Sequence, residues 1–214
     1  MSGSKPYILY GRPGSGSGVC EAVLSLCGLP HTIIDVEKNG DGSAPAALLA
    51  VNPLGQVPVL VLPDGSAMTE SAAIALYLAD LSPKAKLAPA ISHPDRARYL
   101  RWMTYLAANN YMTILRVYYS ERYTTAKGGG EVVKTAAMER NAFEWSVFAD
   151  ALGEGPFVLG EAMSVADIYA AMLVSWDLDI PGFYARHPNL QRLCARVAAD
   201  PVIRPVWKRH EIVA

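Results

Sequence analysis

Three short segments in the first 75 residues carry residue types and spacings that could hold a small polar ligand. The first, residues 11–18, reads Gly-Arg-Pro-Gly-Ser-Gly-Ser-Gly and follows a strand-like run at residues 7–10. The second reads Gln-Val-Pro at residues 56–58, and the third reads Thr-Glu-Ser at residues 69–71. Each lies where a predicted strand or helix begins or ends, and together they converge at one end of the predicted sheet.

The glycine-rich segment opens a helix, where backbone N–H groups and the helix dipole favour an anion. Gly11 and Gly16 have the spacing of a phosphate loop, but Ser17 stands where that loop needs lysine, so nucleoside triphosphate binding is not expected. A dinucleotide fingerprint has Gly14 and Gly16, yet Val19 replaces its third glycine and no further βαβ repeat follows. A flexible turn without a ligand is the plain alternative.

The other two segments each allow a structural and a functional interpretation. Pro58 lacks an N–H, so it belongs at the first residue or the edge of a strand. A cis Val57–Pro58 bond would present the Val57 backbone to an extended peptide, whereas a trans bond would be an ordinary strand start. Glu70 and Ser71 either cap the following helix or bind the ammonium and carboxylate of a ligand.

Composition excludes several classes of protein. Of 214 residues, 51% are hydrophobic and 18% are charged, which is typical of a folded core. With 19 basic and 20 acidic residues the net charge is −1, so we do not expect electrostatic binding to nucleic acid. No apolar run approaches the roughly 18 residues of a membrane helix, and the histidines show no metal-ligand spacing. Three cysteines without a C-x-x-C spacing favour a reducing, cytoplasmic location.

The residue pattern changes near residue 81 and predicts two domains. Residues 1–81 alternate strand and helix signals in the order β-α-β-α-β-β-α, with strands at residues 7–10, 31–36, 59–62 and 67–69. Residues 82–92 are predicted to be a linker because they contain two prolines and few helix-compatible stretches. Residues 93–214 are predicted to be all-helical, with helices at residues 95–123, 131–152, 168–176, 189–199 and 201–209. Ser164 and Asp167 form a capping-box pattern.

In this order, the segments resemble the cytosolic glutathione S-transferase family of bacterial type. The resemblance spans nearly the whole chain and rests on the first strand with its serine turn, on residues 28–30, 52–58, 64–65 and 69–74, and on the capping-box pattern. It implies a thioredoxin-like N-terminal α/β domain that binds glutathione, an all-α C-terminal domain and a homodimer. Val57 would pair its backbone with the cysteinyl part of glutathione, and Pro58 would be the family's cis proline. Glu70 and Ser71 would hold the γ-glutamyl end, and Gln56 would add a polar contact.

The resemblance also implies where the catalytic hydroxyl lies. Family members place Tyr, Ser or Cys just after the first strand, and the cysteine position of the beta class falls here on Gly16. The turn is therefore of the serine type, with Ser15 at the family's serine position and Ser17 as the rival. Cys20 is interpreted as a small buried residue. A hydroxyl that donates to the glutathione sulfur would favour the thiolate, which is the nucleophile.

The function implied by the resemblance is a detoxifying transferase that adds glutathione to a small hydrophobic electrophile. Tyr111 and Arg116, on the first helical stretch of the second domain, are the candidates for contacting that electrophile. The alternatives are a glutathione-dependent peroxidase, isomerase or lyase, or a glutathione-fold binding protein without catalysis. Neither a metal, a nucleic acid nor a membrane is expected as a partner.

Overall fold

The structure is a computed structural model that describes residues 5–213. The chain divides into two compact units. The first contains the chain up to Ala90 together with Ala198–Val213, and the second is Ile91–Val197. The domain bounds 1–81, 82–92 and 93–214 stay predictions, and their ends at residues 1–4 and 214 lie outside the described residues. The two compact units differ from these bounds mainly because Ala198–Val213 belongs with the sheet.

The first unit is built on one mixed four-stranded sheet. Its strands are β1 (Tyr7–Gly11), β2 (His31–Asp35), β3 (Val59–Val61) and β4 (Ala67–Met68), in the spatial order β2-β1-β3-β4. The β1 and β2 strands are parallel, whereas β3 is antiparallel to both β1 and β4. The predicted thioredoxin-like order of strands and helices is therefore confirmed.

Helices complete both units. The first unit contains α1 (Ser17–Leu26), α2 (Ala46–Leu49), α3 (Ser71–Leu81) and a short 3-10 turn at Pro83–Ala85. The second contains α4 (Arg96–Tyr105), α5 (Met112–Tyr118), a 3-10 turn at Ser120–Tyr123, α6 (Gly130–Leu152), α7 (Val165–Val174) and α8 (Ile180–Arg186). It also contains most of α9 (Pro188–Ala199), because the boundary between the units falls after Val197. The last helix, α10 (Ile203–Arg209), belongs to the first unit and packs against α1.

The end of α1 follows from its sequence. Gly28 adopts a φ of 62°, and its N–H donates to Ser25 O at 3.0 Å while Leu29 N donates to Leu24 O at 3.1 Å. A left-handed residue that glycine tolerates without strain thus closes the helix. The buried face of α1, which includes Val19 and Val23, contributes to the core of the first unit.

The prediction of one continuous helix over residues 95–123 is wrong, because this stretch is helical but interrupted. A π-helical segment, Leu106–Tyr111, separates α4 from α5. Within this segment, Asn109 donates a side-chain hydrogen bond to the Tyr105 carbonyl at 3.3 Å. Asparagine side chains compete with the backbone for such acceptors, which disfavours regular α-helical hydrogen bonding.

Two further helix starts differ from the predictions. No helix is predicted over residues 180–186, although Pro181 lies in the first turn of α8, where proline is favoured. Asp179 caps this helix by accepting from the Gly182 N–H at 3.0 Å. The capping box at the start of α7 is confirmed, since the Ser164 N–H donates to Asp167 at 2.8 Å. The helix itself begins at Val165, three residues earlier than predicted.

Asp167 is buried inside the helical unit. Its carboxylate also accepts the Val158 N–H at 2.8 Å and the Ser164 hydroxyl at 2.8 Å. Burial raises the pKa of Asp167 to about 6, and these hydrogen bonds oppose the rise only in part. The carboxylate therefore fixes the loop before α7 at a cost in desolvation.

Candidate functional site

The serine turn connects β1 to α1 through a compact set of hydrogen bonds. The Ser15 hydroxyl donates to the Arg12 carbonyl at 2.7 Å, and the Ser17 hydroxyl lies 3.0 Å from the same carbonyl. The two hydroxyl oxygens are 2.9 Å apart. The Arg12 N–H donates to Ser17 Oγ at 3.0 Å. Two hydroxyls thus share one carbonyl directly before the first turn of α1.

Burial distinguishes the two serines. Ser17 is 1% exposed, and its hydroxyl serves both the N–H and the carbonyl of Arg12, so it holds the turn together. Ser15 is only partly buried. Because the Arg12 carbonyl has Ser17 as a second donor, Ser15 can turn its proton toward a ligand without leaving that carbonyl unsatisfied. Ser15 is therefore the better placed hydroxyl for contacting a ligand.

Gly11 makes this arrangement sterically feasible. A Cβ atom at this position would lie 2.7 Å from Ser17 Oγ and 2.8 Å from Ser17 Cβ. Any side chain there would displace Ser17 and, through it, the Arg12 carbonyl. In the sequence, Gly11 stands out only as the glycine that follows the first strand-like run and has phosphate-loop spacing to Gly16, and its close approach to Ser17 is visible only in three dimensions.

The segment before β3 is pinned by Asn52. Its amide donates to the Gln56 carbonyl at 2.8 Å, and its side-chain oxygen accepts the Leu54 N–H at 3.1 Å. The Val57–Pro58 bond is cis, as the resemblance implies. The Val57 side chain packs against an apolar cluster of Val36, Leu48 and Val59. In the sequence, residue 52 appears only within the 52–58 segment that carries the resemblance, and the anchoring role of Asn52 is visible only in the structure.

Glu70 directly precedes α3 and has an unusual backbone. Its φ is 68°, a region that residues other than glycine rarely adopt and that is found preferentially at functional sites. Its exposed carboxylate makes no capping hydrogen bond to α3, and the Thr69 hydroxyl contacts it at 3.4 Å. Ser71, the first residue of α3, is 9% exposed. The capping interpretation of Glu70 is therefore not supported, and its carboxylate faces solvent.

Cys20 lies beside these residues but is fully buried. Its sulfur is 3.7 Å from the Ser71 carbonyl and 3.9 Å from the Gly16 carbonyl. Burial raises the pKa of the Cys20 thiol far above its usual range. The interpretation of Cys20 as a small buried residue is confirmed.

The two candidates in the helical unit point to different environments. The Tyr111 ring packs edge to face on Trp176, with centroids 5.3 Å apart. Arg116 donates to the Met112 carbonyl at 2.9 Å, and its guanidinium lies 5.0 Å from the centre of the Tyr123 ring. The structure does not bring these two side chains together, and their contact with an electrophile stays a prediction.

The helical unit also contains a cavity of about 230 Å³. Ile114, Tyr118, Trp145 and Trp176 are among its lining residues, whereas Arg116 lines a separate open groove that also includes Glu144. Within residues 5–213, no group of three or more His, Cys, Asp or Glu side chains is arranged to hold a metal ion. In the same part of the chain, no helix has the length and apolarity needed to span a membrane.

Comparison with known proteins places the chain in a family. The glutathione S-transferase N-terminal domain family matches residues 19–81, and the corresponding C-terminal domain family matches residues 111–208. The uncharacterized GST-like protein YncG of Escherichia coli (strain K12) is 32% identical over 96% of this chain and 98% of its own length. The chain belongs to the glutathione S-transferase family.

Named and solved members of the glutathione S-transferase family match over similar lengths. Glutathione S-transferase GstA of Escherichia coli O157:H7 is 27% identical over 88% of this chain and 92% of its own. A glutathione transferase homolog from Sulfitobacter, crystallised with bound glutathione, is 26% identical with a TM-score of 0.86. That alignment covers 97% of this chain and 99% of the Sulfitobacter chain. The likeness therefore includes both units.

Proposed function

We propose that this glutathione S-transferase family member binds glutathione and adds its thiolate to a small hydrophobic electrophile. The observation that carries the proposal is the partly buried Ser15 hydroxyl, whose carbonyl partner has a second donor in Ser17. The crystallised Sulfitobacter homolog with bound glutathione supports glutathione as the co-substrate. In the reaction, the sulfur lone pair forms a C–S bond to the electrophilic carbon. The electrons of the bond that breaks leave with the departing group.

We infer a division of labour among the residues that would hold glutathione. The exposed Glu70 carboxylate accepts from the ammonium of the γ-glutamyl end, and Ser71 at the start of α3 donates to the carboxylate of that end. The backbone of Val57, before the cis Pro58, pairs with the cysteinyl part, and Gln56 adds a polar contact. These roles follow the family resemblance, and the exposed carboxylate and positive φ of Glu70 support them.

Ser15 activates the thiol in this proposal. Free thiols have a pKa of about 8.5, so only a few per cent of glutathione is thiolate at neutral pH. A donated hydrogen bond from Ser15 and the positive end of α1 both stabilise the negative sulfur more than the neutral thiol.

Two measurements test the binding of glutathione and the activation of its thiol. Calorimetry gives the affinity for glutathione, and ultraviolet absorbance of the thiolate against pH gives the pKa of the bound thiol. We expect that pKa to lie about two units below the free value. Binding with an unshifted thiol pKa would favour the non-catalytic alternative, and the absence of binding would refute the proposal.

We further propose a homodimer in the cytoplasm. The three cysteines are all free, which fits a reducing compartment. Sedimentation equilibrium measures the mass of the assembly, and a monomer at micromolar concentration would contradict the dimer.

A further inference from the structure

The C-terminal segment forms a polar cluster with the sheet unit. We define the C-terminal clamp as Arg209 and His210 together with their acceptors, Glu21 in α1 and Asp35 at the end of β2. Arg209 Nη1 lies 2.7 Å from Glu21 Oε2, and Arg209 Nη2 pairs with Asp35. His210 Nε2 lies 2.9 Å from the same Glu21 oxygen. One arginine thus joins α1 to β2.

The Glu21 and His210 side of the clamp is largely removed from water, whereas Asp35 is exposed. His210 is 2% exposed and Glu21 is 7% exposed, and Trp207 on the preceding turn is buried as well. A nearly buried carboxylate needs its charged partner far more than a surface carboxylate does, because removal of the partner leaves the charge uncompensated. The Glu21–Arg209 contact therefore differs from an ordinary exposed ion pair.

One structural route connects the clamp to the serine turn through α1. A Cβ atom on Gly18 would lie 3.2 Å from His210 Nδ1, so the imidazole ring abuts the first turn of α1. Gly18 is adjacent to Ser17 and donates its N–H to the Ser15 carbonyl at 3.1 Å. A shift of the His210 ring would therefore displace Gly18 and, through its hydrogen bond, the backbone of Ser15.

The second route runs through the end of β2. Asp35 is followed by Val36, whose N–H donates to the Gly11 carbonyl at 2.8 Å and whose carbonyl accepts from Arg12 Nε at 3.0 Å. The Arg12 carbonyl is the group that Ser15 and Ser17 share. Both ends of the turn, at Arg12 and at the start of α1, are therefore tied to Arg209.

We propose that Arg209 and His210 are positioning residues for the Ser15 hydroxyl. The clamp fixes the distance between the first turns of α1 and the end of β2, and thereby keeps Ser15 aligned with the glutathione sulfur. This inference rests on the proposed function. Loss of the clamp weakens the stabilisation of the thiolate more than it weakens the binding of the peptide, because Glu70 and Ser71, which hold the γ-glutamyl end, lie on another segment.

The test compares Arg209→Met with a matched control, Arg192→Met. Arg192 forms an ion pair of similar length, 2.9 Å, with the exposed Glu154 in the helical unit. In Arg209→Met we expect the pKa of the bound glutathione thiol to rise by about one unit, a roughly tenfold loss of thiolate at pH values below that pKa. Affinity for S-methylglutathione, which lacks the thiol, should change less than about twofold. Arg192→Met should leave both quantities unchanged.

A conservative variant distinguishes positioning from general damage to the fold. Arg209→Lys keeps the charge but lacks the fork that reaches two carboxylates at once, so its thiol pKa should lie between wild type and Arg209→Met. An unchanged thiol pKa in folded Arg209→Met would overturn the inference. Equal losses of thiolate and of S-methylglutathione affinity would also overturn it, because the clamp would then support the whole site without selectivity.

Amide hydrogen exchange judges the clamp separately from glutathione chemistry. We expect the Ser17 and Gly18 amides to exchange about fivefold faster or more in Arg209→Met, and at the wild-type rate in Arg192→Met. Unchanged exchange rates in Arg209→Met would refute the ordering role of the clamp, whatever the measured pKa of the bound glutathione thiol. A wild-type bound thiol with the pKa of free glutathione would refute the proposed function, while the exchange rates would still decide whether Arg209 orders the turn.

Discussion

Replacement of Ser15 by alanine measures how much the serine turn contributes to thiol activation. Lowering a thiol pKa by two units takes about 2.7 kcal/mol of differential stabilisation. One hydrogen bond to a charged group contributes about 1.5–3 kcal/mol. Since the Arg12 carbonyl keeps Ser17 as a donor, loss of the Ser15 hydroxyl should cost little free energy of unfolding. Ser15→Ala should therefore raise the bound thiol pKa by about one to two units.

The assay is the pH dependence of kcat/KM with a chloroarene electrophile. Below the wild-type thiol pKa, Ser15→Ala should be about 10- to 100-fold slower, because its thiolate fraction falls by that factor. The two profiles should converge as the pH rises through the thiol pKa of the variant, where both enzymes carry thiolate. Affinity for S-methylglutathione should stay close to wild type.

Ser17→Ala is the matched comparison. It removes the acceptor of the Arg12 N–H and one donor to the Arg12 carbonyl, so its main effect should be a loss of about 1 kcal/mol in unfolding free energy. Ser15 then becomes the only hydroxyl on that carbonyl, and a smaller rise in the thiol pKa follows. A Ser15→Ala profile that superimposes on wild type, or a larger kinetic effect of Ser17→Ala, would refute the assignment.

Three further variants examine other parts of the structure. Glu70→Gln removes an exposed carboxylate, so calorimetry should show about tenfold weaker glutathione binding with an unchanged melting temperature; unchanged affinity would exclude Glu70 from the site. Cys20→Ala should keep kcat/KM within about twofold because burial raises the pKa of that thiol; loss of activity in the folded variant would point to Cys20 chemistry. Burial raises the pKa of Asp167 from 3.8 to about 6, so ionisation costs the folded state stability as the pH rises through this interval. In urea melts, the stability of wild type relative to Asp167→Asn should fall by about 2 kcal/mol between pH 4 and pH 6, and a constant or rising difference would contradict that shift.

The sheet unit was predictable because each of its elements carries a local signal. The first strand is a short aromatic and β-branched run that ends at a glycine, and Gly28 closes α1 in the conformation that its residue type favours. The π-helical segment at Leu106–Tyr111 was not predictable from apolar spacing, since its side chains follow a helical pattern and only the asparagines hint at irregular hydrogen bonding.

The candidate site was predictable in its location but not in its details. The resemblance favours Ser15 over Ser17 by position alone, and the physical difference between them, in burial and in the close approach of Gly11 to Ser17, is visible only in the structure. Arg209 and Glu21 are 188 residues apart, so no local pattern indicates their contact. Such long-range pairs depend on where α10 packs in the first unit. The spacing of apolar residues along the sequence does not predict that packing.

The chain's own thiols explain why a serine-type turn is chemically coherent here. Burial raises the pKa of all three, that of Cys194 to about 12, which disfavours a thiolate on any of them near neutral pH. In the proposed function, the nucleophilic sulfur comes with the ligand. A hydroxyl suits that division because it donates a hydrogen bond to the sulfur without forming a competing disulfide with it, as a cysteine in the turn would. In the proposed function, the position of Ser15, rather than any reactivity of its own, determines how much of the bound glutathione is thiolate.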